Sequence, residues 1–405
     1  MLATPALDAL AEEGVVFEEC YSASNYTNPS HVALLTGTHP LRTGVVSNKQ
    51  RLNDTPTTLA ELYRDAGYTT WAIVSARHLY DDISGLGQGF DRMYGPEGAE
   101  HRAADAVEKL QGWLEQRDGR PVFVWLHLFD AHWPYDPPRT DPETRAPDLA
   151  STEPGTQAQE PGSGEEGRGG IGDPTLHLAN YRGEVTYLDD QLSRLFAAEP
   201  FADGITAITS DHGESLGENG TWFSHSGLYP STLHVPLILR YPGAPAGRRV
   251  AQRTPSIDLG VTLLELSGLP AKGFPGESLL PLLQGGGARS NYALHGNGVA
   301  ISLTTPQNEH LVITLDMRSE KGHLVEHAGG VRLFDLAADP GCITDVSDDD
   351  PKFTMTLRQE LRQWMNHQTP LPWLDTSGPQ HGQLESLLET LGYADGGGGG
   401  APTGQ

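Results

Sequence analysis

The chain has 405 residues and a formal net charge of −26, because 53 Asp and Glu outnumber 27 Lys and Arg. Nucleic-acid binding depends on clustered cations, so this surplus of carboxylates argues against a nucleic-acid partner. The length is sufficient for one large α/β domain and a smaller C-terminal one. The two cysteines, Cys20 and Cys342, cannot form a disulfide framework.

Apolar periodicity predicts helices that alternate with strands apolar on both faces. In chain order, the helices are expected at 5–14, 30–36, 57–67, 103–116 and 180–198, and the strands at 15–21, 69–75, 121–129 and 205–210. This pattern is typical of an α/β fold in which a mostly parallel sheet is sandwiched between helices. Ligands bind such sheets outside the carboxyl ends of the strands.

The composition of the rest of the chain indicates an insertion, a C-terminal subdomain and a tail. Residues 138–175 are rich in Pro, Gly, Glu, Ser and Thr, and we expect a flexible insertion within a larger domain that covers 1–290. Shorter strand-like runs after residue 291 and a helix near 356–365 predict a small C-terminal α+β subdomain at 291–375. The glycine-rich residues 376–405 are expected to form a tail.

The beginning of the chain bears on its compartment. Residues 1–5 have neither the basic flank nor the apolar stretch of a signal peptide, and no apolar run is long enough to span a membrane. As written, the sequence therefore predicts a cytoplasmic protein. An exported or periplasmic protein is the alternative if a segment precedes Met1.

A hydroxyl residue stands at the start of the helix predicted at 30–36. Thr27 precedes an Asn-Pro turn, and Pro29 suits the first helical turn, where free N–H groups attract anions. A threonine at this point could attack a phosphorus or sulfur centre while backbone donors hold the ester oxygens. A simple helix cap is the alternative interpretation.

Two further polar segments follow predicted strands. Asp211 and His212 offer a hard oxygen and an imidazole to one cation, although a capping pair would look the same. Asp130 and His132 lie at the end of the strand at 121–129, where charge is costly unless it is paired or bound to metal. His127, inside that strand, is interpreted as a core residue.

The run from Asn25 to Gly37 resembles the signature of the sulfatase family, in which x-P-S-R follows the nucleophile and the helix ends in Leu-Leu-Thr-Gly. Two positions depart from it: Thr27 replaces the formylglycine-forming Cys or Ser, and His31 replaces Arg. A Thr-x-Pro-x-His pattern is similar to nucleotide pyrophosphatases and phosphodiesterases of the same alkaline-phosphatase-like superfamily, which use threonine directly. The resemblance implies a hydrolase of sulfate or phosphate esters with Thr27 as nucleophile.

The resemblance also implies roles for other residues. The TSDHGE run is similar to the family's second metal motif, so Asp211 and His212 would bind a divalent ion, either Ca²⁺, Mn²⁺ or Zn²⁺. Asp130 would bind a second ion, and His132 and His225 would contact the ester or that ion. The substrate would be a small molecule or glycan that carries a sulfate or phosphate ester.

Weaker similarity concerns His78 and His31. The segment around His78 resembles the family's Lys-x-His segment with Ala76 in place of the lysine, so Arg77 is predicted to supply the positive charge. An exposed loop pair is the alternative. His31, one helical turn after Thr27, is predicted to orient the site.

The family's first strand, which ends in metal-binding aspartates, has no counterpart in this sequence. The segment at 4–10 resembles the helix that follows that strand, so the chain is expected to be truncated at its N-terminus. A catalytically inactive binding protein is therefore an alternative to the hydrolase. A transferase of phosphate-containing head groups is a third hypothesis.

Overall fold

A computed structural model describes residues 3–138, 174–196, 199–271, 273–298, 300–314 and 330–368. The helices are α1 (Pro5–Glu13), α2 (Thr27–Thr36), α3 (Pro40–Thr43), α4 (Leu59–Asp65), α5 (Asp81–Ser84), α6 (Ala103–Glu115), α7 (Pro174–Phe196), α8 (Pro230–Leu233), α9 (Leu259–Leu266) and α10 (Pro351–Asn366). Short 3-10 helices span Arg77–Leu79, Glu218–Gly220, Ser256–Asp258, Leu280–Gln284 and Gly296–Gly298. Most of the predicted insertion and the whole predicted tail lie outside the described residues.

The strands form two large sheets, one small sheet and a two-stranded ribbon. They are β1 (Val15–Tyr21), β2 (Thr69–Val74), β3 (Arg92–Tyr94), β4 (Val122–His127), β5 (Thr206–Thr209), β6 (Ser215–Leu216), β7 (Trp222–Ser224), β8 (His234–Arg240), β9 (Arg248–Val250), β10 (Thr254–Pro255), β11 (Asn291–Leu294), β12 (Ala300–Thr304), β13 (Glu309–Thr314) and β14 (Val331–Asp335).

Parallel pairing dominates around the candidate site and confirms the α/β fold. One sheet has the order β3-β2-β4, with both pairs parallel. The five-stranded sheet has the order β10-β1-β8-β5, and β9 also pairs with β1. Strands β9 and β10 run parallel to β1, but β8 is antiparallel to both β1 and β5. An apolar run carries no information about strand direction, so the sequence could not predict this reversal.

Local signals explain where the helices begin and end. In α4, Thr58 and Glu61 form a reciprocal capping box. Helix α2 ends at Gly37, whose φ of +61° and a would-be Cβ contact of 2.4 Å with the Pro275 carbonyl oxygen both require glycine. Helix α2 begins at Thr27, three residues earlier than predicted, because the extended residue Tyr26 serves as its N-cap.

The parallel sheet β3-β2-β4 is packed on both faces. Trp71 and Ile73 of β2 contact Val107 and Leu110 of α6 in one cluster, and Val74 belongs to a second cluster with residues of α2. Each such fully buried side chain contributes about 2 kcal/mol through removal of apolar area from water. The packing holds the carboxyl end of β2 beside that of β4.

A cavity separates the three-stranded sheet from the five-stranded sheet. Within the described residues, β4 pairs only with β2, and β5 pairs only with β8. Between them lies a cavity of about 1330 Å³, lined by residues of both strands and by α7. The side chains at 122–126 of β4 are therefore half-buried, although the sequence predicted a strand buried on both faces.

The C-terminal part is a separate layer. Strands β11, β12, β13 and β14 form an antiparallel sheet in that order, and α10 packs on it through Leu357, Leu361 and Met365. The predicted C-terminal α+β subdomain is thereby confirmed, with a helix that begins five residues earlier than expected. Among the described helices, none is both long and apolar enough to cross a lipid bilayer.

Candidate active site

Thr27 lies where the loop after β1 enters α2. It is 2% exposed, and its Oγ1 is 3.3 Å from Nε2 of His212, which follows β5. The Ser22 hydroxyl donates to the Asp211 backbone carbonyl and lies 3.1 Å from the Ser30 hydroxyl. These serines join the loop after β1 to the end of β5, so Thr27 and the Asp-His pair keep a fixed relation.

His212 presents an unprotonated nitrogen to Thr27. Its Nδ1 is 2.9 Å from the Gly213 carbonyl oxygen, and because a carbonyl can only accept, Nδ1 carries the proton. Burial lowers the pKa of His212 to about 4, even though the carboxylate of Asp211 acts in the opposite direction. The ring is therefore neutral at pH 7, and its Nε2 can accept a hydrogen bond or bind a cation.

Asp211 lies between two histidines. Its Oδ2 is 3.4 Å from His212 Nε2 and 3.6 Å from His31 Nδ1. Burial alone would raise the pKa of Asp211, but His212 and His31 outweigh burial and hold the pKa below its usual value. The His31 Nδ1–H also donates to the Thr27 carbonyl oxygen at 2.9 Å. His31 thus links the first turn of α2 to an ionised carboxylate.

His127 belongs to this cluster, although the sequence interpretation assigned it to the core. Its ring is 5.0 Å from that of His31, and its buried Nδ1 has no hydrogen-bond partner among the described residues. Burial, followed by the field of His31, lowers the pKa of His127. The strand ends at His127 and not at Phe129, so this residue occupies the carboxyl end, where site residues are expected.

His225 and His132 extend the cluster of histidine rings beyond His212. The His225 Nδ1–H donates to the Asn25 carbonyl oxygen at 2.7 Å, and the Asn25 side chain donates to the His225 carbonyl oxygen at 2.7 Å. The His225 ring is 4.4 Å from His212 and 5.9 Å from His132, which stacks on Phe129 at 4.3 Å. Asn25, two residues before Thr27, was not singled out in the sequence, yet it fixes His225.

His78 completes the set. Its ring is 5.9 Å from Phe129, and its backbone carbonyl accepts a hydrogen bond from the Asn28 side chain at 3.3 Å. Burial, followed by the field of His31, lowers the pKa of His78 to about 4. The buried Nε2 of His78 has no hydrogen-bond partner in the described part of the chain. Buried nitrogens of this kind are what an anionic ligand can satisfy.

Comparison with known proteins decides the family. The Sulfatase family model matches residues 1–269, which is more than half of the chain. The chain belongs to the sulfatase family. A second model, described as N-sulphoglucosamine sulphohydrolase, C-terminal, matches residues 217–369 and so covers the C-terminal sheet.

Curated relatives are distant but consistent. Arylsulfatase K of Rattus norvegicus is 29% identical over 169 residues, which is 40% of this chain and 30% of the rat protein. The multifunctional alkaline phosphatase superfamily protein PehA of Trinickia caryophylli is 27% identical over 372 residues, 70% of this chain and 72% of that protein. The similarity to PehA places this sulfatase-family chain in the alkaline-phosphatase-like superfamily.

Solved structures share the fold. A protein in complex with its substrate D-glucosamine-2-N,6-O-disulfate superposes with a TM-score of 0.70 and 21% identity, covering 91% of this chain and 94% of the other. A phosphonate monoester hydrolase of Agrobacterium radiobacter gives 0.69 and 21%, with 91% of each chain covered. The sulfatase fold therefore extends over nearly the whole chain.

Asp130 does not join the histidines. Its side chain is fully buried, lies 2.9 Å from Nε of Arg102, and accepts the backbone N–H of Ala103 at 3.0 Å. Burial raises the pKa of Asp130, and Arg102 opposes that effect. The assignment of Asp130 as a metal ligand stays a prediction, and its present partners do not favour it.

Arg77 points away from the cluster, which corrects the prediction that it supplies a positive charge there. Both of its terminal nitrogens donate to the carboxylate of Asp82 at 2.6 Å, on an exposed surface. Its guanidinium also lies 5.4 Å from the ring of Tyr80. The sequence places Arg77 beside His78, but successive side chains of a 3-10 helix project in different directions.

The Asp-His pair has the chemistry of a partial cation site. An ionised Asp211 oxygen and an unprotonated His212 nitrogen lie 3.4 Å apart, so that a cation beside them would contact both. In the part of the chain that the structure describes, no three His, Cys, Asp or Glu side chains are arranged to hold a metal. Asp211 and His212 therefore fit a divalent ion as two ligands of an incomplete set.

Proposed function

We propose that this protein hydrolyses sulfate or phosphate esters and that Thr27 is the nucleophile. The observation that carries the proposal is the 3.3 Å contact between Thr27 Oγ1 and the unprotonated Nε2 of His212. Because α2 begins at Thr27, the positive end of the helix dipole lies at the same point and favours an anionic group there. A nucleophile, a neutral imidazole and the positive end of a helix thus coincide.

The chemistry follows from this arrangement. Thr27 Oγ gives its proton to water and forms a bond with the sulfur or phosphorus atom, and the bond from that atom to the leaving oxygen breaks. His132 and His225, each held at Nδ1 by a carbonyl oxygen, would give a proton to the leaving oxygen when protonated. Water then cleaves the ester on Thr27 and releases sulfate or phosphate.

Asp211 and His212 would hold a divalent ion. Such an ion supplies a lower pKa for the nucleophilic hydroxyl and neutralises charge on the transferred group. The chain's own contribution is to keep Asp211 ionised and His212 neutral, as their pKa shifts indicate. His31 would hold the carboxylate of Asp211 in place, and His78 would contact the ester through its buried Nε2.

A strand between β4 and β5 would complete the site. Both strand edges border the cavity, and an unpaired backbone edge away from water is costly. His127 ends β4 and Asp211 follows β5, so a strand parallel to both would bring its carboxyl end beside these two residues. Carboxylates at that end would add the hard oxygen ligands that the described cluster lacks.

The substrate class is proposed from the neighbours. One solved neighbour binds a disulfated glucosamine, and another is a phosphonate monoester hydrolase. The threonine nucleophile favours phosphate or phosphonate esters, because it attacks directly without conversion to an aldehyde. Sulfate esters of sugars are the alternative substrates under the same proposal.

A binding protein without catalysis is the second candidate. The observation that favours it is the absence, within the described residues, of three side chains arranged to hold a metal. Such a protein would bind the anionic ester at His78 and His212 but would not turn it over. Ester binding without release of product would support this candidate.

Replacement of Thr27 tests the proposal. We expect Thr27→Ala to reduce turnover of both an aryl phosphodiester and an aryl sulfate by about a thousandfold or more, because the covalent step is lost. Thr27→Ser should retain part of the activity, since it keeps a hydroxyl. Mass spectrometry of the wild-type chain quenched during turnover should find the transferred group on Thr27.

The matched control is the exposed Thr55→Ala, which lies outside the cavity and should leave both rates unchanged. Undiminished turnover in Thr27→Ala, measured on protein with an unchanged circular dichroism spectrum, would exclude Thr27 as the nucleophile.

A further inference from the structure

One arginine is connected to both ends of the segment that carries His132, to one end directly and to the other through a glutamate. The Nε of Arg102 is 2.9 Å from the carboxylate of Asp130, two residues before His132. Its two terminal nitrogens donate to the Glu184 carboxylate at 3.1 and 2.9 Å. The same Glu184 accepts the backbone N–H of Asp136, four residues after His132, at 2.9 Å.

The three side chains form a buried ionic cluster. The Asp130 and Glu184 side chains are 0% exposed, and the Arg102 side chain is 35% exposed. Two carboxylates share one guanidinium, so every nitrogen of Arg102 is used. Buried charges of this kind persist only when they are paired and hydrogen-bonded.

Neighbouring contacts make the cluster rigid. The N–H of Ala103 donates to Asp130, so the carboxylate also caps the start of α6. The Arg102 guanidinium lies 5.0 Å from the Tyr187 ring, and the Tyr187 hydroxyl accepts the N–H of Ala104. Helix α6, helix α7 and the segment after β4 therefore meet at Arg102.

We propose that Arg102 is a positioning residue that holds the segment 130–136, and with it His132, at the active site. The guanidinium fixes Asp130 directly and fixes Asp136 through Glu184. The inference rests on the proposed function to the extent that His132 contacts the ester. It assigns Asp130 to this ionic cluster and not to a metal site.

The geometry requires arginine. A planar guanidinium can bind one carboxylate with two nitrogens and a second with Nε, whereas an ammonium group cannot span both. Arg102→Lys should therefore keep the charge and lose the bridge. The segment 129–138 would then lose the link between Asp130 and Glu184 and keep the bonds of Tyr135 to Glu214 and Asn180 and of Asp136 to Glu184.

Hydrogen exchange measures the bridge without reference to activity. In Arg102→Lys we expect the peptide that covers 129–138 to exchange about tenfold faster, while a peptide from α10 is unchanged. The matched control is Arg120→Lys, in which an exposed arginine pairs with Asp118 at 2.8 Å far from this segment. Unchanged exchange of 129–138 in folded Arg102→Lys would overturn the proposal.

Kinetics and metal analysis separate this inference from the proposed function. Arg102→Lys should lower kcat about tenfold with KM changed less than about twofold, because a displaced His132 affects the reaction more than binding.

Asp130→Asn should show the same faster exchange with unchanged metal content. Loss of metal in Asp130→Asn would return Asp130 to the ligand set and contradict the proposal. If the wild-type chain turns over no ester, the proposed function fails while the exchange result still decides the role of Arg102.

Discussion

The cavity between β4 and β5 has a rim, formed by the candidate site residues at the carboxyl ends of these strands, and walls, formed by the two facing strand edges. Different kinds of contact determine the rim and the walls. At the rim, short hydrogen bonds to backbone carbonyl oxygens fix several candidate side chains, as Gly213 does for His212 and Asn25 does for His225. The walls are the facing edges of β4 and β5, which pair on one side only within the described residues. The rim is therefore organised by hydrogen bonds, whereas each wall keeps one strand edge without a partner among the described residues.

This difference bears on catalysis. An organised rim can bind an anionic ester, because His78 and His127 already present buried nitrogens. In the proposed reaction, turnover would need a metal held by more than Asp211 and His212, because no three His, Cys, Asp or Glu side chains among the described residues are arranged to hold one. On that proposal, binding and catalysis would depend on different parts of the cavity.

The largest effect should come from filling the cavity. We expect a synthetic peptide whose apolar stretch matches the six residues of β4, and which ends in two aspartates, to raise bound metal to about one ion per chain. The added strand would also raise Tm, because it pairs both open edges. Elemental analysis after gel filtration and a thermal melt measure the two effects.

A peptide with asparagines in place of the aspartates is the matched control. It should raise Tm but leave the metal content unchanged, which would separate strand pairing from ligand supply. If neither peptide changes Tm, β4 and β5 do not accept a strand. That result would contradict the idea that an additional strand pairs with the walls of the cavity.

A smaller effect concerns acid stability. His310 in β13 is buried, with Nδ1 2.9 Å from the Thr304 hydroxyl and Nε2 2.7 Å from the Leu228 carbonyl oxygen. Burial lowers the pKa of His310 to about 4. Between pH 6.5 and 4 the unfolded chain binds the extra proton, so stability falls as pH decreases through this range. From pH 7 to pH 5 the loss should be about 2 kcal/mol for this residue.

Urea unfolding at the two pH values measures this loss. His310→Gln should reduce the difference between pH 7 and pH 5, while the exposed His367→Gln should not. A saturating divalent ion would protect His212 at the rim but leave the contribution of His310 unchanged. An equal pH difference in wild type and His310→Gln would show that His310 does not carry this dependence.

The sequence predicted the elements whose signals are local. Helix α1 has Pro5 at its start and Gly14 at its end, β1 begins with an apolar run and β2 is rich in β-branched and aromatic residues, so their bounds agree with the structure within one or two residues. Thr27 was placed at a helix start and Asp211 with His212 after a strand, and the structure brings Thr27 within hydrogen-bonding distance of His212. Periodicity and the Asn-Pro turn were sufficient for these predictions.

Nonlocal features escaped the sequence interpretation. The direction of β8 depends on which edges it pairs with, and no residue of β8 encodes that choice. His127 was assigned to the core because the predicted strand was two residues too long. Asp130 was predicted to bind metal on the resemblance, and its contact with Arg102 could not be predicted because the two residues are distant in sequence and close only in the fold.

The smallest expected effect concerns Arg77, which contacts Asp82 on the exposed surface and not the rim. Exposed ion pairs contribute little to stability, and the guanidinium points away from the histidines. Arg77→Gln should therefore leave Tm and KM unchanged, whereas His78→Gln should raise KM, because it alters a buried nitrogen of the cluster. Steady-state kinetics on an aryl phosphodiester distinguishes the two variants. If Arg77→Gln raised KM as much as His78→Gln, Arg77 would have to turn inward when substrate binds, and the rim would be less fixed than its hydrogen bonds indicate.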